Sequence, residues 1–298
     1  MSNSAFFSLK TKAALITTVI LWASAFVGIR AGLQGYSPGG LACLRFLIAS
    51  VCMYIVYLLL PPRETIPLRD KALLLLIGIV GIGFYQIALN YGELSVSSGL
   101  ASFIISQSPI ITVTFAILFL SEPLKLPVFI GMLISILGVG LITLGSAHQF
   151  NFQMGFFYIL FATLVSSIYS LMQKPFLKKY HAIEVTAYII WGSLFALVIY
   201  LPNVFHDVQT ASLQATLSVI YLGIFPAAIA YVAWSYALKE IPAARAVSFL
   251  YFMPIVATIL GWIWLGEIPA WVSLVGGLLA LCGVWIVNHS YSRGTAKV

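Results

Sequence analysis

The sequence predicts an all-α integral membrane protein whose ten transmembrane helices form two inverted five-helix repeats. Three observations predict it. Hydrophobic residues make up 61% of the 298 residues and charged residues only 8%, against roughly 25% charged in a soluble domain. The apolar residues fall into ten segments, each about 20 residues long, the length at which a helix spans a bilayer. One half of the chain matches the other at a single offset of 145 residues.

The segments lie near 12–34, 38–60, 71–91, 97–120, 126–145, 155–174, 183–202, 214–237, 244–265 and 270–288. Short stretches at 60–71, 121–127, 148–153, 178–181, 201–209 and 265–270 read as the loops between them, none long enough for a soluble domain. In hydrocarbon a span must satisfy its own backbone hydrogen bonds, so the segments are helices. No alternating pattern of a β-barrel is seen. The first segment contains Ala23-Ser24-Ala25, which resembles a leader cleavage site, but the apolar run continues through Ile29. That favours a retained span over a signal peptide.

Polar residues mark the segments in turn. The first carries Trp22 and Phe26, and the second Arg45. In the third, Gln86 and Asn90 lie one turn apart. The fourth has Ser95, Ser98, Ser102, Ser106 and Pro109 on one helical face. That face is either a polar cavity wall or a small-residue packing surface. Gly131, Gly138 and Gly145 recur every seven residues in the fifth, a packing face that leaves a homodimer contact open. The sixth pairs Tyr169 with Gln173, and the eighth Tyr231 with Trp234. The ninth holds Ser248, Tyr251 and Pro254. Buried amides and phenols need partners, so these pairs should face protein, water or a small-molecule substrate. Pro109 and Pro254 sit near mid-span, where a missing N–H frees a carbonyl; they are candidate hinges or static bends. Trp191, Trp262, Trp264 and Trp271 read first as interfacial anchors.

The basic residues orient the chain. With a cytoplasmic amino terminus, every Lys and Arg except Arg30 and Arg45 falls on the cytoplasmic side. The net charge of +7 is thus a membrane-face signal, and no nucleic-acid motif accompanies it. Cys43, Cys52 and Cys282 lie in apolar runs and form no metal-binding pair. No cofactor is expected.

At the offset of 145, Pro109 lands on Pro254, Glu122 on Glu267, Gly78-Ile79 on Gly223-Ile224, Tyr91 on Tyr236, and Gly131 and Gly138 on Gly276 and Gly283. A repeat of five spans inverts its second copy, giving units 1–147 and 148–298. Inverted repeats place a site near the midplane, and rocking of one half on the other gives alternating access. Trp22-Ala-Ser-Ala-Phe26, Ser37-Pro38 with Arg45-Phe46, Glu122-Pro123 and Glu267-Ile268-Pro269 together resemble the drug/metabolite transporter superfamily, EamA type. The resemblance implies a basket of helices around a central cavity, with the fifth and tenth spans outside it. It also implies transport of amino acids, sugars, nucleotide-linked metabolites or drugs.

Arg45 lies seven residues past Pro38, about 10 Å down its helix. Two readings stand for it: an ion pair holding the outer gate, or a fork for a substrate carboxylate or phosphate. Arg30 reads as a rim residue, with Glu93, Asp207 and Glu267 as candidate partners at the outer ends. No carboxylate or histidine lies deep in a span, so no proton relay is evident. The expectation is an inner-membrane carrier of small metabolites with both termini cytoplasmic, of amino-acid type and exporting. A multidrug exporter is the alternative within the class and an intramembrane enzyme the alternative outside it.

Overall fold

The structure is a computed structural model and describes residues 8–60, 65–108, 110–111, 114–115, 126–145, 154–241, 243–266, 268 and 270–294. Among these, every regular element is helical. Helix α1 is Leu9–Gly32 and α2 Pro38–Leu58. α3 (Leu68–Gly78) passes through a π-helical stretch, Ile79–Phe84, into α4 (Tyr85–Gly92). α5 (Ser98–Ile105) and α6 (Leu126–Gly145) follow, then α7 (Met154–Met172), α8 (Lys174–Lys179), α9 (Ala182–Leu197) and α10 (Leu201–Thr210). α11 (Leu213–Ile224) runs through a second π stretch, Phe225–Ile229, into α12 (Ala230–Glu240). α13 (Ala243–Val247), a 3-10 turn (Ser248–Phe252), α14 (Met253–Leu265) and α15 (Trp271–Gly294) complete the chain.

Among the described residues, six stretches are long and apolar enough to cross a membrane: Leu9–Gly32, Pro38–Leu58, Leu68–Gly92, Met154–Lys179, Ala182–Thr210 and Leu213–Glu240. Shorter apolar helices lie at Phe129–Gly138, Phe249–Leu265 and Leu274–Gly283. Their outer faces are oily. Ile16, Val51, Tyr54, Ile55, Phe195, Ile199, Trp262, Ile263 and Trp271 are all exposed. A soluble protein does not present so large an apolar surface, and this is a membrane protein.

Side-chain oxygens start several helices. Ser37 accepts from the Gly40 N–H, Ser97 from Leu100 and Ser212 from Ala215, while His181 and Glu184 form a capping box at α9. Such caps satisfy orphan N–H groups that the membrane boundary would otherwise leave costly. Close approach of backbones then sets the bundle. A Cβ on Gly78 would collide with the Ile189 carbonyl in α9, and one on Gly223 would sit 2.7 Å from Ile48 in α2. A Cβ on Gly138 would meet the Ala280 backbone at 2.5 Å, and one on Gly283 the Ser135 hydroxyl at 2.5 Å. Small residues thus let α6 lie against α15, and Ser135 Oγ donates to the Ala280 carbonyl at 3.2 Å. A polar thread also runs through the interior: Thr186 donates to Ser235 at 2.8 Å, and Ser235 to Gln173 Oε1 at 3.2 Å.

Two expectations need correction. Residues 201–209 read as a loop but form α10, with Pro202 in its first turn and Val204 and Asp207 buried on one face. Trp191 is not a free interfacial anchor. It is half-buried, its indole N–H donates to the Ser50 carbonyl at 3.3 Å, and it packs on Tyr57 and Tyr188. Pro109, Glu122, Pro123, Glu267 and Pro269 lie outside the described residues, as does the side chain of Ser248. Pro254 falls in the first turn of α14, directly after the 3-10 turn, where its missing N–H costs no helical bond.

Candidate functional site

A cavity lies inside the bundle. Trp22, Ala25 and Phe26 of α1, Arg45 of α2, Gly81 of the first π stretch and Tyr85, Gln86 and Leu89 of α4 line it. Ile105 at the end of α5 and Ser108 beyond it, Ser166, Tyr169 and Ser170 of α7, Tyr231 of α12, and Leu250 and Met253 complete the wall. Its volume, counted at the centres of water molecules, is about 50 Å³. That is room for a few waters. Among the described residues, none from α6 or α15 takes part.

Aromatic rings shape the floor. Trp22 and Tyr231 lie 5.1 Å apart edge to face, Tyr169 and Tyr231 6.1 Å, and Phe46 and Tyr231 6.3 Å. These are the favoured tilted contacts of aromatic quadrupoles. Trp22 is aimed by a hydrogen bond: its indole N–H donates to the Pro226 carbonyl at 3.2 Å. That carbonyl lies in the second π stretch, where the widened turn changes which backbone groups are paired.

Arg45 is the charged group of the described wall, and only 2% of it is exposed. One Nη donates to Gln86 Oε1 at 3.0 Å, and the guanidinium carbon lies 5.5 Å from the Phe46 ring centroid. Its Nε–H has no partner. Among the described residues no carboxylate lies within ion-pair distance of it, while the buried Glu93 carboxylate acts on it electrostatically from further off. The Tyr169 hydroxyl stands beside Gln173 and Ser235 without a hydrogen bond of good geometry to either. An unpaired charge out of water is costly unless something answers it.

The structure sorts the predicted residues. Trp22, Phe26, Arg45, Gln86, Tyr169 and Tyr231 reach the cavity together. Trp234 stands behind Trp22, with ring centroids 5.3 Å apart. Asn90 turns away, donating to the Pro38 carbonyl at 2.9 Å, and Gln173 joins the Ser235 thread. Ser102 and Ser106 are buried but donate to the Gly99 and Phe103 carbonyls of their own helix. Of the two readings of that serine face, packing is the one its geometry fits. Tyr251 is buried beside the wall without joining it. Sequence reasoning passed over Tyr85, Ser108, Ser166 and Ser170. Ser166 and Ser170 share a helical face with Tyr169, so the signal was a stripe of three residues rather than the Tyr169–Gln173 pair.

Contacts at the two ends of the bundle close it. At one end, Asp207 accepts from the Ser37 N–H at 2.9 Å and the Ser37 hydroxyl at 2.7 Å, and Arg30 donates to the Glu93 carbonyl at 2.8 Å. At the other, Tyr180 donates to Asp70 at 2.5 Å, Lys179 lies 3.7 Å from the same carboxylate, and Lys239 donates to the Tyr180 carbonyl at 3.2 Å. The Asp70 carboxylate, accepting its proton, pushes the Tyr180 phenol above its ordinary range. Lys174 caps the carboxyl end of α12 through the Leu238 and Ile241 carbonyls. Among the described residues no group of three His, Cys, Asp or Glu side chains is placed to hold a metal.

Comparison with known proteins agrees with this architecture. The family model "EamA-like transporter family" matches twice, over residues 10–144 and 153–289. The chain is 40% identical over 265 residues to the uncharacterized transporter YdfC of Bacillus subtilis, covering 89% of this chain and 86% of that one. It is 37% identical over 276 residues to a protein of Streptantibioticus cattleyicolor named "Probable terminal-alkyne amino-acid exporter", covering 93% of this chain and 92% of that one. It is 30% identical to the uncharacterized inner membrane transporter YedA of Escherichia coli, covering 83% of this chain and 80% of that one. A crystal structure superposes with a TM-score of 0.73 at 19% identity, over 94% of this chain and 98% of the other, a likeness of fold alone. The chain belongs to the EamA-like transporter family, and its general function is transport.

Proposed function

We propose that this family member is a secondary carrier that exports small metabolites of amino-acid type across the inner membrane. It alternates access between two inverted five-helix units, 1–147 and 148–298, with both termini cytoplasmic. The observation that carries the reading is the cavity walled by side chains of both halves. Reciprocal packing supports the pseudo-symmetry. Gly138 meets Gly276 while Gly283 meets Gly131, and Gly78 meets α9 while Gly223 meets α2. Each pair exchanges roles at the offset of 145, as a two-fold axis requires. The two π stretches end at the same offset, Phe84 against Ile229, and begin within one residue of it. The relative named as an amino-acid exporter supports the cargo class.

The experiment is transport into proteoliposomes with radiolabelled neutral amino acids. Saturable uptake that speeds up when the same amino acid is preloaded marks a carrier. Unsaturable flux marks a channel. Transport of lipophilic cations with no amino-acid flux transfers the protein to the multidrug reading. An enzyme reading would need a nucleophile–base pair, and the described wall holds no histidine, cysteine or carboxylate.

A further inference from the structure

We propose that Arg45 is the receptor for a single carboxylate of the cargo. The cavity then takes a small monocarboxylate with its charged head on the guanidinium and its body against Trp22, Tyr169 and Tyr231. This deepens the carrier reading and rests on it.

Four observations lead there. Arg45 is 2% exposed yet lines the cavity, and it is the charged side chain of the described wall. A guanidinium stays protonated, so the site carries a full positive charge. Its one polar partner is the neutral Gln86 amide, which takes a single N–H and leaves the Nε–H unanswered. The buried Glu93 carboxylate acts on the charge from a distance, but the guanidinium keeps hydrogen-bonding capacity that no protein group fills. Finally, the Phe46 ring flanks the guanidinium, and the Gln86 bond ties one of its ends to α4. A fork held in this way matches the two oxygens of a carboxylate.

The same features set the rest of the selectivity. One cation answers one negative charge. A dianionic phosphate monoester would bring a second charge with no partner on the described wall, and burying it is costly. A simple amine would set its charge against Arg45. An α-ammonium group that accompanies a carboxylate meets a different surface, the Trp22, Tyr169 and Tyr231 rings. Ring faces attract cations, so zwitterions are admitted alongside plain acids. The small volume and mostly apolar wall limit the body of the cargo.

The test is equilibrium binding to the purified full-length protein, read as a shift of thermal stability with ligand concentration. The probes are straight-chain monocarboxylates from acetate to octanoate, phenylacetate, 3-phenylpropionate and neutral L-amino acids. Each is compared with its primary amide, and phenethylamine serves as the cation. The expected result is that acids in the series stabilise the protein and their amides do so at least tenfold more weakly, the scale of a lost charge-assisted hydrogen bond. Arg45→Gln should abolish the acid's effect. Arg45→Lys should weaken it about tenfold, because an ammonium cannot form the fork. If Arg45→Gln does not fold, the acid–amide comparison on the unmodified protein still decides. Amides that bind as well as acids, an acid shift that survives Arg45→Gln, or a series in which no acid binds would each overturn the proposal. Transport is scored separately. An acid that binds through Arg45 and is never translocated defeats the carrier reading and leaves the site. Saturable transport with no preference for acids over amides does the reverse.

Discussion

Asp207 illustrates what a single side chain decides. Its Oδ2 accepts both the backbone N–H and the hydroxyl of Ser37, the residue that caps α2. A Cβ on Gly40 would collide with that same oxygen, so the glycine makes room for the carboxylate. A carboxylate at a helix start also faces the positive end of the helix dipole. Asp207 is 7% exposed, so little water replaces it when it is removed. Asp207→Ala should cost roughly 1.5–3 kcal/mol, read as a lowered thermal midpoint in detergent, and Asp207→Asn should cost less. An unchanged midpoint would mean that the contact is incidental. The sequence marked Asp207 as a rim charge in search of an arginine. Which group it meets depends on where α10 lands on α2, and residue types alone do not carry that information. Arg45 was legible for the opposite reason, because an arginine deep in an apolar segment is expensive wherever its neighbours fall.

At the scale of elements, the helices themselves were legible and their interruptions were not. Apolar length and the loop residues placed most of the helix ends within a few residues. The π stretches Ile79–Phe84 and Phe225–Ile229 left no such mark. One extra residue in a helical turn changes neither composition nor hydropathy. It does change geometry: the second stretch holds the Pro226 carbonyl that aims Trp22, and the first brings Gly81 to the cavity wall. A π turn is an α-helix carrying an inserted residue, so deleting that residue should restore an ordinary helix and keep the flanking registers. Deletion of Ala227 is therefore expected to leave the protein folded, with a thermal midpoint equal to or above that of the parent. Transport in proteoliposomes should fall by about tenfold or more, because a regular turn withdraws the carbonyl from Trp22. Undiminished transport would show that the widened turn is only a relic of packing. The offset of 145 carries Ala227 onto Ile82, so the same prediction holds for deletion of Ile82 in the first stretch.

For the whole molecule, the proposed alternation requires that the contacts at the two ends are not all held at once during the cycle. In the proposed orientation the Asp70–Tyr180 end faces the cytoplasm, so reporter fusions after Gln149 and after Asp207 should read as external. A cytoplasmic signal from either would break the inverted topology. The matched glycines were legible because close approach of backbones depends on residue type. The cavity was only partly visible, because which side of a helix faces inward is set by its neighbours. The cytoplasmic tie then offers a direct test of alternation. Tyr180 is bound to Asp70, and Lys239 holds the Tyr180 backbone, so α3, the turn after α8 and α12 meet at one point. The carboxylate keeps the phenol protonated above its ordinary range, so the bond persists through neutral pH. It is lost when the phenol ionises in strong alkali. A disulfide between cysteines placed at 70 and 180 should fix this end shut. Transport should stop on oxidation and return on reduction, while binding from the external face is retained. Tyr180→Phe should act the other way, favouring the form open to the cytoplasm and speeding exchange from that side, since the exposed Lys179–Asp70 pair that remains is worth little. If the cross-linked protein still transports at its full rate, the cytoplasmic end does not open during the cycle, and the path of the cargo runs elsewhere than through this cavity.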